Sequence, residues 1–473
     1  MTAMIDIHDD ECNDENGKDN NLIEMNMHVV FNDNEKCVKD EEKPFDDERE
    51  NPFQENKDCC YDQEDLDNLE SYGEGNNPSP VENKLKIKKS LLEFRCKVED
   101  SILGNYLLGE PCESLSQGEI GLAREKLRDI TLWGVPLLPS KAHEGTDIIL
   151  RKFLKTKDYK VNDAFDMLQK TMIWRIENNV DGIMDEEFDF ENAGFLKGKD
   201  REGHPVCYHV RGFFRDKHVY KAAFGTQEKR DMFFRWGIQL MEKAIKMLSF
   251  REGGVDSIVQ IYDLKNTPAQ GMKELHSISK KTIILFQNYY PEIIHKSIVV
   301  YSPFWFFTSQ ILFSKLMSQR NKKRFILARP QNTTDTLLKV IAPEHLPVEY
   351  GGLRRENDQE FSPAEKVGDL KIKANTVSRV EFPVKEAGVT ITWDVTVVGW
   401  EVSYKEEFIP DDEGSYIVLL QNQNRVGDST RNSFYINEPG KIVITVANAT
   451  FNKKKMFYRF KSRTTIPMFL LLS

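Results

Sequence analysis

Hydrophobic positions in residues 297–328 change from the spacing of a strand to that of a helix. The apolar run at 298–301 is typical of a strand buried on both faces of a parallel sheet, and Pro303 ends it. Residues 304–319 then show helical spacing with two separate apolar stripes instead of one. The first stripe contains Phe304, Phe307 and Ile311, and the second contains Trp305, Phe306, Leu312, Phe313, Leu316 and Met317.

The second stripe of this predicted helix needs a second apolar partner, because a surface helix of a soluble domain buries only one face. We interpret the helix as a lid over an apolar cavity. A core helix with protein on both sides would show the same pattern. A transmembrane span would require about 20 uninterrupted apolar residues, whereas the uncharged run between Lys296 and Lys315 is shorter and contains Pro303.

A cluster of basic side chains follows the predicted lid directly and favours the lid over a core helix. It consists of Arg320, Lys322, Lys323 and Arg324. An apolar cover followed by a cationic cluster suits a ligand with an apolar tail and an anionic head. The pattern therefore indicates an amphipathic ligand.

Strands alternate with helices between residues 205 and 352, which predicts an α/β unit with a largely parallel sheet. The predicted strands are 206–210, 258–264, 298–301 and 325–328, and a predicted helix covers 274–288. Thr226 is the predicted N-cap of another helix. The inward-facing positions of that helix are predicted to be Phe233, Trp236, Leu240, Ala244 and Met247. Residues 84–179 show mainly helical spacing, with Asn162 as a predicted N-cap.

The chain changes character after Arg355, where short alternating runs separated by turn residues predict an antiparallel β-sandwich. The predicted strands are 377–384, 389–398, 416–420, 441–446 and 456–460. A late turn carries Lys453, Lys454 and Lys455 among aromatic residues. Such a patch can contact anionic lipid headgroups or an acidic protein, although a solvated turn before a half-buried strand fits the pattern equally well.

Charge is distributed unevenly along the 473 residues. Residues 1–80 hold 25 acidic and 6 basic side chains, a balance of −19, whereas the whole chain has a net charge of −11. The remaining residues carry 59 basic and 51 acidic groups, a balance of +8. A segment with so few apolar clusters cannot offset its ordering entropy, so we expect residues 1–85 to be disordered. They could serve as an interaction tail or only as a solvating one.

The sequence contains no recognisable catalytic motif. It lacks a G-x-S-x-G elbow, a Walker A phosphate loop, a dinucleotide-binding G-x-G-x-x-G and a zinc-binding H-E-x-x-H. Cys96, Cys112 and Cys207 are scattered without C-x-x-C spacing, and the first residues show no secretory leader. We therefore expect a cytosolic protein without a zinc site or a disulfide framework. Every positive signal points to binding, and none points to nucleic acid.

Three stretches of the α/β unit resemble the CRAL-TRIO lipid-binding fold of phosphatidylinositol-transfer proteins. They are QNYYPEIIHKSIVVYSPFWF at 287–306, YDLKN at 262–266 and LPVEYGG at 346–352. The upstream LRKFLKTKDYKVNDAFDMLQKTMIWR, from Leu150, is similar to the helical N-terminal lobe of that fold. GWEVSY at 399–404, with FIPDDEGSYIV and FNKKK after it, resembles a GOLD domain. An acidic tail, a lipid-binding domain and a GOLD domain in this order resemble the patellins.

The resemblance implies four regions. These are a disordered acidic tail at 1–85, a helical lobe at 86–185, a CRAL-TRIO lipid-binding domain at 186–355 and an all-β GOLD sandwich at 356–465. It also implies a cytosolic, peripherally membrane-associated carrier of phosphoinositides and other hydrophobic molecules that supports membrane trafficking and cell-plate formation. No cofactor is implied beyond a bound phospholipid. The expected partners are phosphoinositides, anionic membrane surfaces, and trafficking proteins that contact the GOLD domain and the tail.

Three headgroup contacts are implied by the family motifs. Glu292 of YYPE and Lys323 before the strand after the lid match residues that contact the inositol phosphate in that family. Lys155 of FLKTK stands where the family has an arginine, so the charge is kept without the bidentate fork. Ile258 and Gln260 match the family's phosphatidylcholine-binding hydroxyl residues. Neither bears a hydroxyl, which argues against exchange of choline lipids.

We therefore expect a lipid-binding and transfer protein and not an enzyme. Opening of the lid at a membrane would expose the cavity, and each lipid methylene moved from water into it would contribute about 0.8 kcal/mol. A rival function is a lipid-sensing adaptor that recruits trafficking partners through the GOLD domain without net transfer. A lipid hydrolase is a third and more distant alternative.

Overall fold

The described part of the chain begins with a helical lobe. The computed structural model describes residues 80–109, 127–267, 273–302, 324–399, 401–423 and 429–464. The lobe consists of α1 (Pro80–Leu103), a short hairpin of β1 (Thr131–Leu132) and β2 (Val135–Pro136), α2 (Glu144–Thr156) and α3 (Val161–Glu177). Phe94, Phe153 and Leu168 are fully buried in the core that the three helices share.

Helix α3 begins at Val161 with Lys160 at its N-cap, so the prediction that Asn162 caps this helix was wrong. The Asn162 side-chain oxygen instead accepts a hydrogen bond from Lys97 Nζ on α1 at 2.7 Å. The Asn162 side chain therefore links α3 to α1 and does not cap α3. Asparagine side chains can take such alternative hydrogen-bond partners.

A five-stranded sheet forms the centre of the α/β unit. Its order is β3 (Gly194–Lys199), β4 (Pro205–Val210), β5 (Ile258–Asp263), β6 (Ile294–Val300) and β7 (Phe325–Leu327). Strands β4 to β7 are parallel, and β3 pairs antiparallel with β4. The largely parallel sheet confirms the predicted fold class. Strand β3 was not predicted, because its sequence GFLKGK lacks an apolar run and contains two glycines.

The described residues of the α/β unit also form four α-helices: α4 (Lys217–Phe224), α5 (Gln227–Ile245), α6 (Lys273–Tyr289) and α7 (Thr333–Val340). Thr226 caps α5 as predicted, since its hydroxyl oxygen accepts a hydrogen bond from the Lys229 amide at 3.4 Å. The buried positions of α5 include Trp236, Leu240 and Ala244. Met247 is 54% exposed, so its predicted inward orientation was wrong. Helix α5 ends at Ile245, and helical spacing does not apply beyond that residue.

The C-terminal unit is a β-sandwich of two four-stranded antiparallel sheets, which confirms that part of the predicted fold. One sheet has the order β13 (Thr430–Ile436), β10 (Val389–Val398), β15 (Lys454–Thr464) and β8 (Gly368–Ile372). The other has the order β12 (Val418–Gln423), β11 (Ser403–Pro410), β14 (Gly440–Asn448) and β9 (Thr376–Val384). Trp393 and Tyr404 are fully buried between the sheets.

The sandwich and the α/β unit pack directly against each other. Val398 and Phe457 of the sandwich lie in the same hydrophobic cluster as Tyr350 and Leu353. Arg459 on β15 donates a hydrogen bond to the Leu353 carbonyl oxygen at 2.8 Å. The junction therefore combines apolar packing with a directed polar contact.

Several predicted features lie outside the described residues. They are the acidic tail as far as residue 79, Lys323, and the lid residues Phe304, Trp305, Phe306, Phe307, Ile311, Leu312, Phe313 and Leu316. Within the described part of the chain, no helix combines the length and the apolar character that a bilayer span requires.

Candidate functional site

Glu292 lies in the turn between α6 and β6 and has a left-handed backbone conformation with a φ of 52°. This conformation costs a non-glycine residue about 1 kcal/mol or more. The Glu292 side chain is only 10% exposed. A nearly buried carboxylate on a strained turn points to a functional role.

Three cations from two parts of the chain contact Glu292. Arg324, immediately before β7, donates from both Nη atoms, at 3.2 Å to Oε1 and at 2.6 Å to Oε2. Lys155 Nζ on α2 lies 3.1 Å from Oε2. Lys152, also on α2, donates to the Glu292 carbonyl oxygen at 3.0 Å and lies 3.0 Å from Asp256 Oδ2. These five residues, the Glu292 cluster, carry a net charge of +1.

The protonation of the Glu292 cluster follows from burial and neighbouring charge. Burial alone would raise the pKa of Glu292, but hydrogen bonds and charges from Arg324 and Lys155 hold that pKa below its ordinary value. Burial lowers the pKa of Lys152, while Asp256 opposes this shift. Glu292 is therefore ionised at neutral pH, and its carboxylate can only accept hydrogen bonds.

A buried ion pair holds the Glu292 turn in place. Tyr290 donates from its hydroxyl to Glu242 Oε1 at 2.6 Å. Arg175 on α3, only 4% exposed, donates to the same oxygen at 2.7 Å. Removing one partner of such a pair would leave an uncompensated buried charge. The network therefore fixes the turn against α3 and α5.

An apolar cavity of about 70 Å³ lies between α5, α6 and the carboxyl ends of β4 and β5. Its apolar walls include Phe214, Phe233, Trp236, Leu275, Ile283 and Phe286. Its polar lining consists of His209, Arg211, Tyr262, Ser279 and Thr282. Helix α6 links this cavity to the Glu292 cluster, because Phe286 lines the cavity and Glu292 follows the end of the helix by three residues.

A larger cavity of about 440 Å³ is bordered by α3 and the end of α6. It is lined by Lys157, Asp163, Asp166, Met167, Lys170, Asn288 and Tyr289. Walls with two lysines and two aspartates suit polar groups and water, because burying such charges against acyl chains is unfavourable. The smaller cavity has the more apolar walls of the two.

The structure brings two of the three predicted headgroup residues together, since Lys155 and Glu292 form the ion pair described above. The third, Lys323, lies outside the described residues. Ile258 is fully buried, and Gln260, 1% exposed, accepts a hydrogen bond from the Tyr262 hydroxyl at 2.7 Å. Neither of these β5 side chains offers a hydroxyl group.

The predicted basic patch lies at the turn before β15. Lys453 is exposed, whereas Lys454 and Lys455 are half-buried at the start of the strand. Phe451 at the same turn is 91% exposed. Arg459, from the same cationic run, is buried and donates to Asp394 Oδ2 at 2.9 Å, so it does not contribute to the patch.

Arg324 and Lys152 are members of the Glu292 cluster that the sequence did not assign to the site. Arg324 was identified only as part of a basic cluster. Their contacts with Glu292 span 32 and 140 residues of sequence, so local spacing could not reveal them. The sequence did carry one signal for Lys152, because its neighbours on α2 are apolar. The structure shows that these neighbours are all fully buried: Ile149, Leu150, Phe153 and Leu154.

Comparisons with known proteins match both units of the chain. The family model described as CRAL/TRIO domain matches residues 189–352, and the model described as Patellin-1-like, C-terminal GOLD domain matches residues 373–455. The chain therefore combines a CRAL/TRIO domain with a C-terminal GOLD domain.

Individual relatives define the family more narrowly. Patellin-4 of Arabidopsis thaliana is 45% identical over 342 residues, which cover 71% of this chain and 62% of that protein. Patellin-6 of the same plant is 36% identical over 399 residues, covering 82% of this chain and 96% of that protein. The phosphatidylinositol transfer protein SFH5 of Cryptococcus neoformans is 30% identical over 246 residues, or 47% of this chain and 79% of that protein. The chain belongs to the patellin family.

The chain spans only part of some relatives. It covers 62% of Patellin-4 and 50% of Patellin-5. The family assignment therefore applies to the shared CRAL/TRIO and GOLD regions.

Proposed function

We propose that this protein is a lipid-binding carrier that takes up phosphoinositides and other hydrophobic molecules and transfers them between membranes. The observation that carries the proposal is the Glu292 cluster, where three cations and an ionised, nearly buried carboxylate converge next to the helix that lines the apolar cavity. The matching phosphatidylinositol transfer protein of Cryptococcus neoformans supports the same ligand class.

The chemistry of the cluster suits an inositol phosphate. Its net charge of +1 can attract a phosphate group, and Lys155 and Arg324 offer charge-assisted hydrogen bonds to phosphate oxygens. A carboxylate has about four acceptor sites, and contacts with Arg324 and Lys155 occupy three of those on Glu292. An inositol hydroxyl can donate to the remaining site on Oε1. We also place Lys323 at the phosphate.

Acyl chains supply most of the binding energy in this proposal, because each buried methylene contributes about 0.8 kcal/mol. The apolar cavity of about 70 Å³ is smaller than the roughly 300–1,000 Å³ of typical ligand pockets. Loading therefore requires its walls to separate or the chamber to extend towards residues 303–323. The lid proposed for Phe304, Trp305 and Phe306 would close that chamber against water.

Membrane attachment would begin at the basic patch. Phe451 can insert between headgroups while Lys453, Lys454 and Lys455 contact anionic phosphates, an arrangement typical of peripheral membrane proteins. We propose a cytoplasmic protein of this kind, without catalytic activity or a cofactor, that supports membrane trafficking and cell-plate formation in cytokinesis. Trafficking proteins would contact the GOLD domain or the acidic tail.

A lipid-sensing adaptor is the second candidate function. The tight junction between the sandwich and the α/β unit favours it, since Arg459 and Phe457 could transmit a change in the lipid-binding unit to the GOLD surface. An adaptor would bind phosphatidylinositol without moving it between vesicles. The hypothesis of a lipid hydrolase would be supported only if the purified chain cleaved a lipid ester.

Mass spectrometry of lipids that co-purify with the full chain tests the proposed ligand class. We expect phosphoinositides to be enriched over the host lipid extract, and the enrichment to be lost in a Lys155→Ala, Arg324→Ala double variant. Lys160→Ala serves as a control, because that side chain is 74% exposed and lies outside the Glu292 cluster. The same lipid profile in all three proteins would contradict the headgroup site.

A further inference from the structure

Arg211 follows β4 directly and lines the apolar cavity. Its Nη1 donates a hydrogen bond to Ser279 Oγ on α6 at 2.9 Å, and its guanidinium carbon lies 5.9 Å from the centre of the Tyr262 ring. A guanidinium has five N–H donors, and Arg211 uses one of them in a hydrogen bond to the described residues. The other donors remain available at the cavity wall.

No carboxylate of the described residues pairs with this guanidinium. Among the described residues that line the cavity, Arg211 is also the single one with a permanent charge. Burial lowers the pKa of Arg211, as expected for a cation that has no counter-ion. An unpaired charge against apolar walls is costly, and an anionic partner would remove most of that cost.

The titratable neighbours of Arg211 cannot supply this negative charge. Burial lowers the pKa of His209 to about 3 and raises the pKa of Cys207 to about 12, so both side chains are neutral near pH 7. Burial also raises the pKa of Tyr262 above its ordinary value. The described side chains at this end of the cavity therefore carry one positive charge and no negative one.

The sequence of the adjoining segments does not supply an acid either. Residues 268–272 and 303–323 come after β5 and β6 in the sequence. Neither segment contains an aspartate or a glutamate. Neither the described residues nor these two segments therefore offer Arg211 an acid, which leaves its remaining donors to an anionic ligand.

We propose that Arg211 is the anchor for the carboxylate of a long-chain fatty acid whose hydrocarbon tail enters the aromatic cavity when the cavity walls separate, as the loading step proposed above requires. This inference rests on the proposed lipid-carrier function and names a second ligand class for the same chamber. A carboxylate matches the guanidinium fork with two parallel hydrogen bonds. It also carries one charge, which matches the one cation, whereas a phosphate monoester would leave a second charge without a partner.

Calorimetric titration of the delipidated full chain with oleate and with methyl oleate tests the inference. The two ligands share a tail and differ in charge. We expect wild type to bind oleate about 10-fold to 100-fold more tightly than the ester, the range expected for charge-assisted hydrogen bonds. Arg211→Met should abolish this preference, because methionine keeps the apolar length without the charge. Arg215→Met is the matched control, since Arg215 lies four residues further on and is exposed.

A stability measurement separates this role from a structural one. Without ligand, Arg211→Met should melt at the same temperature as wild type or higher, because a half-buried charge with no counter-ion among the described residues has been removed. Equal binding of oleate and methyl oleate to wild type, or an unchanged oleate preference in Arg211→Met, would overturn the inference. Tighter Arg211-dependent binding of a lysophosphatidate than of oleate would overturn the assignment to a carboxylate.

Phosphatidylinositol, titrated in parallel, separates this inference from the proposed function. We expect Arg211→Met to bind it as wild type does, because the Glu292 cluster is intact. Oleate selectivity without phosphatidylinositol binding would reject the headgroup site and keep the carboxylate site. Phosphatidylinositol binding without oleate selectivity would reject the carboxylate site and keep the headgroup site.

Discussion

Glu292 and Arg324 form a bidentate pair in which the two side chains are 10% and 30% exposed, so solvent screens their attraction only in part. A ligand phosphate can engage Arg324 only by sharing it with Glu292. Lys155 is 48% exposed and reaches the same carboxylate from α2. Headgroup affinity therefore depends on whether Arg324 and Lys155 stay bound to the Glu292 carboxylate or bind the ligand phosphate.

Arg324→Ala should weaken binding of phosphatidylinositol by about 10-fold to 100-fold, because charge-assisted hydrogen bonds contribute about 1.5–3 kcal/mol each. Lys323→Ala should likewise lower phosphoinositide affinity far more than affinity for uncharged diacylglycerol. Calorimetric titration of the delipidated chain measures both. Lys339→Ala, an exposed lysine on α7, is the control. Equal losses for the charged and uncharged lipids would remove the headgroup role.

Single residues differed in how far the sequence could assign them. Glu292 and Lys155 were assigned from family motifs, because each lies in a recognisable local run. Arg175 was not recognised as a buried partner of Glu242, since 67 residues separate them. Arg211 drew no attention either, because an arginine after a strand usually faces water, and only the tertiary structure places it in a cavity.

Whole elements were predicted best where the hydrophobic period was strong. Residues 389–398 alternate regularly, and β10 has these bounds in the structure. Strand β6 begins at Ile294, four residues before the predicted apolar run, because His295 and Lys296 interrupt the apolar pattern without ending the strand. Backbone pairing with β5 extends the strand where side chains give no signal.

The predicted lid can be tested as an element. Phe304→Asp combined with Trp305→Asp should weaken docking to vesicles, because charged side chains on an apolar stripe oppose burial in lipid. Far-UV circular dichroism should show an unchanged fold. Co-flotation with liposomes measures docking, and Thr308→Asp, on the polar boundary between the stripes, is the control. Unchanged flotation of the double variant would count against the lid.

The turn between β14 and β15 can be tested in the same way. Phe451→Ser with Lys453→Glu should reduce binding to vesicles containing phosphatidylserine, since both the inserted ring and one attractive charge are lost. Lys385→Glu is the matched control, because this exposed lysine lies in the turn between β9 and β10 at the opposite end of the sandwich. The same loss in both proteins would indicate a general charge effect and not a specific patch.

At the scale of the whole molecule, a buried ionic network holds the linker between the two units against the sandwich. Arg431 donates to both carboxylate oxygens of Asp358 at 2.7 Å and also to Asp394. Arg459 lies 2.8 Å from Asp394 and 3.2 Å from Asp358. Asp394 is fully buried. The network therefore ties three strands of the sandwich to the segment that follows the α/β unit.

This network predicts acid sensitivity of the sandwich. Burial alone would raise the pKa of Asp358, but hydrogen bonds from Arg431 and the backbone amides of Phe361 and Glu360 lower it to about 2 from its ordinary 3.8. A lowered carboxyl pKa contributes stability above pH 4, and this contribution disappears as the pH falls towards 2. Urea unfolding followed by tryptophan fluorescence should show this decline. Asp358→Asn should be less stable than wild type at pH 6, and its free energy of unfolding should fall less steeply between pH 4 and pH 2. An equally steep fall in the variant would exclude Asp358 as the source of the acid sensitivity.

The most direct test of the carrier is movement of labelled phosphatidylinositol from donor to acceptor vesicles. We predict that the full chain accelerates this transfer, and that the Lys155→Ala, Arg324→Ala variant does not although it remains folded. Tight binding of phosphatidylinositol with no transfer above the protein-free rate would contradict the carrier and leave the lipid-sensing adaptor.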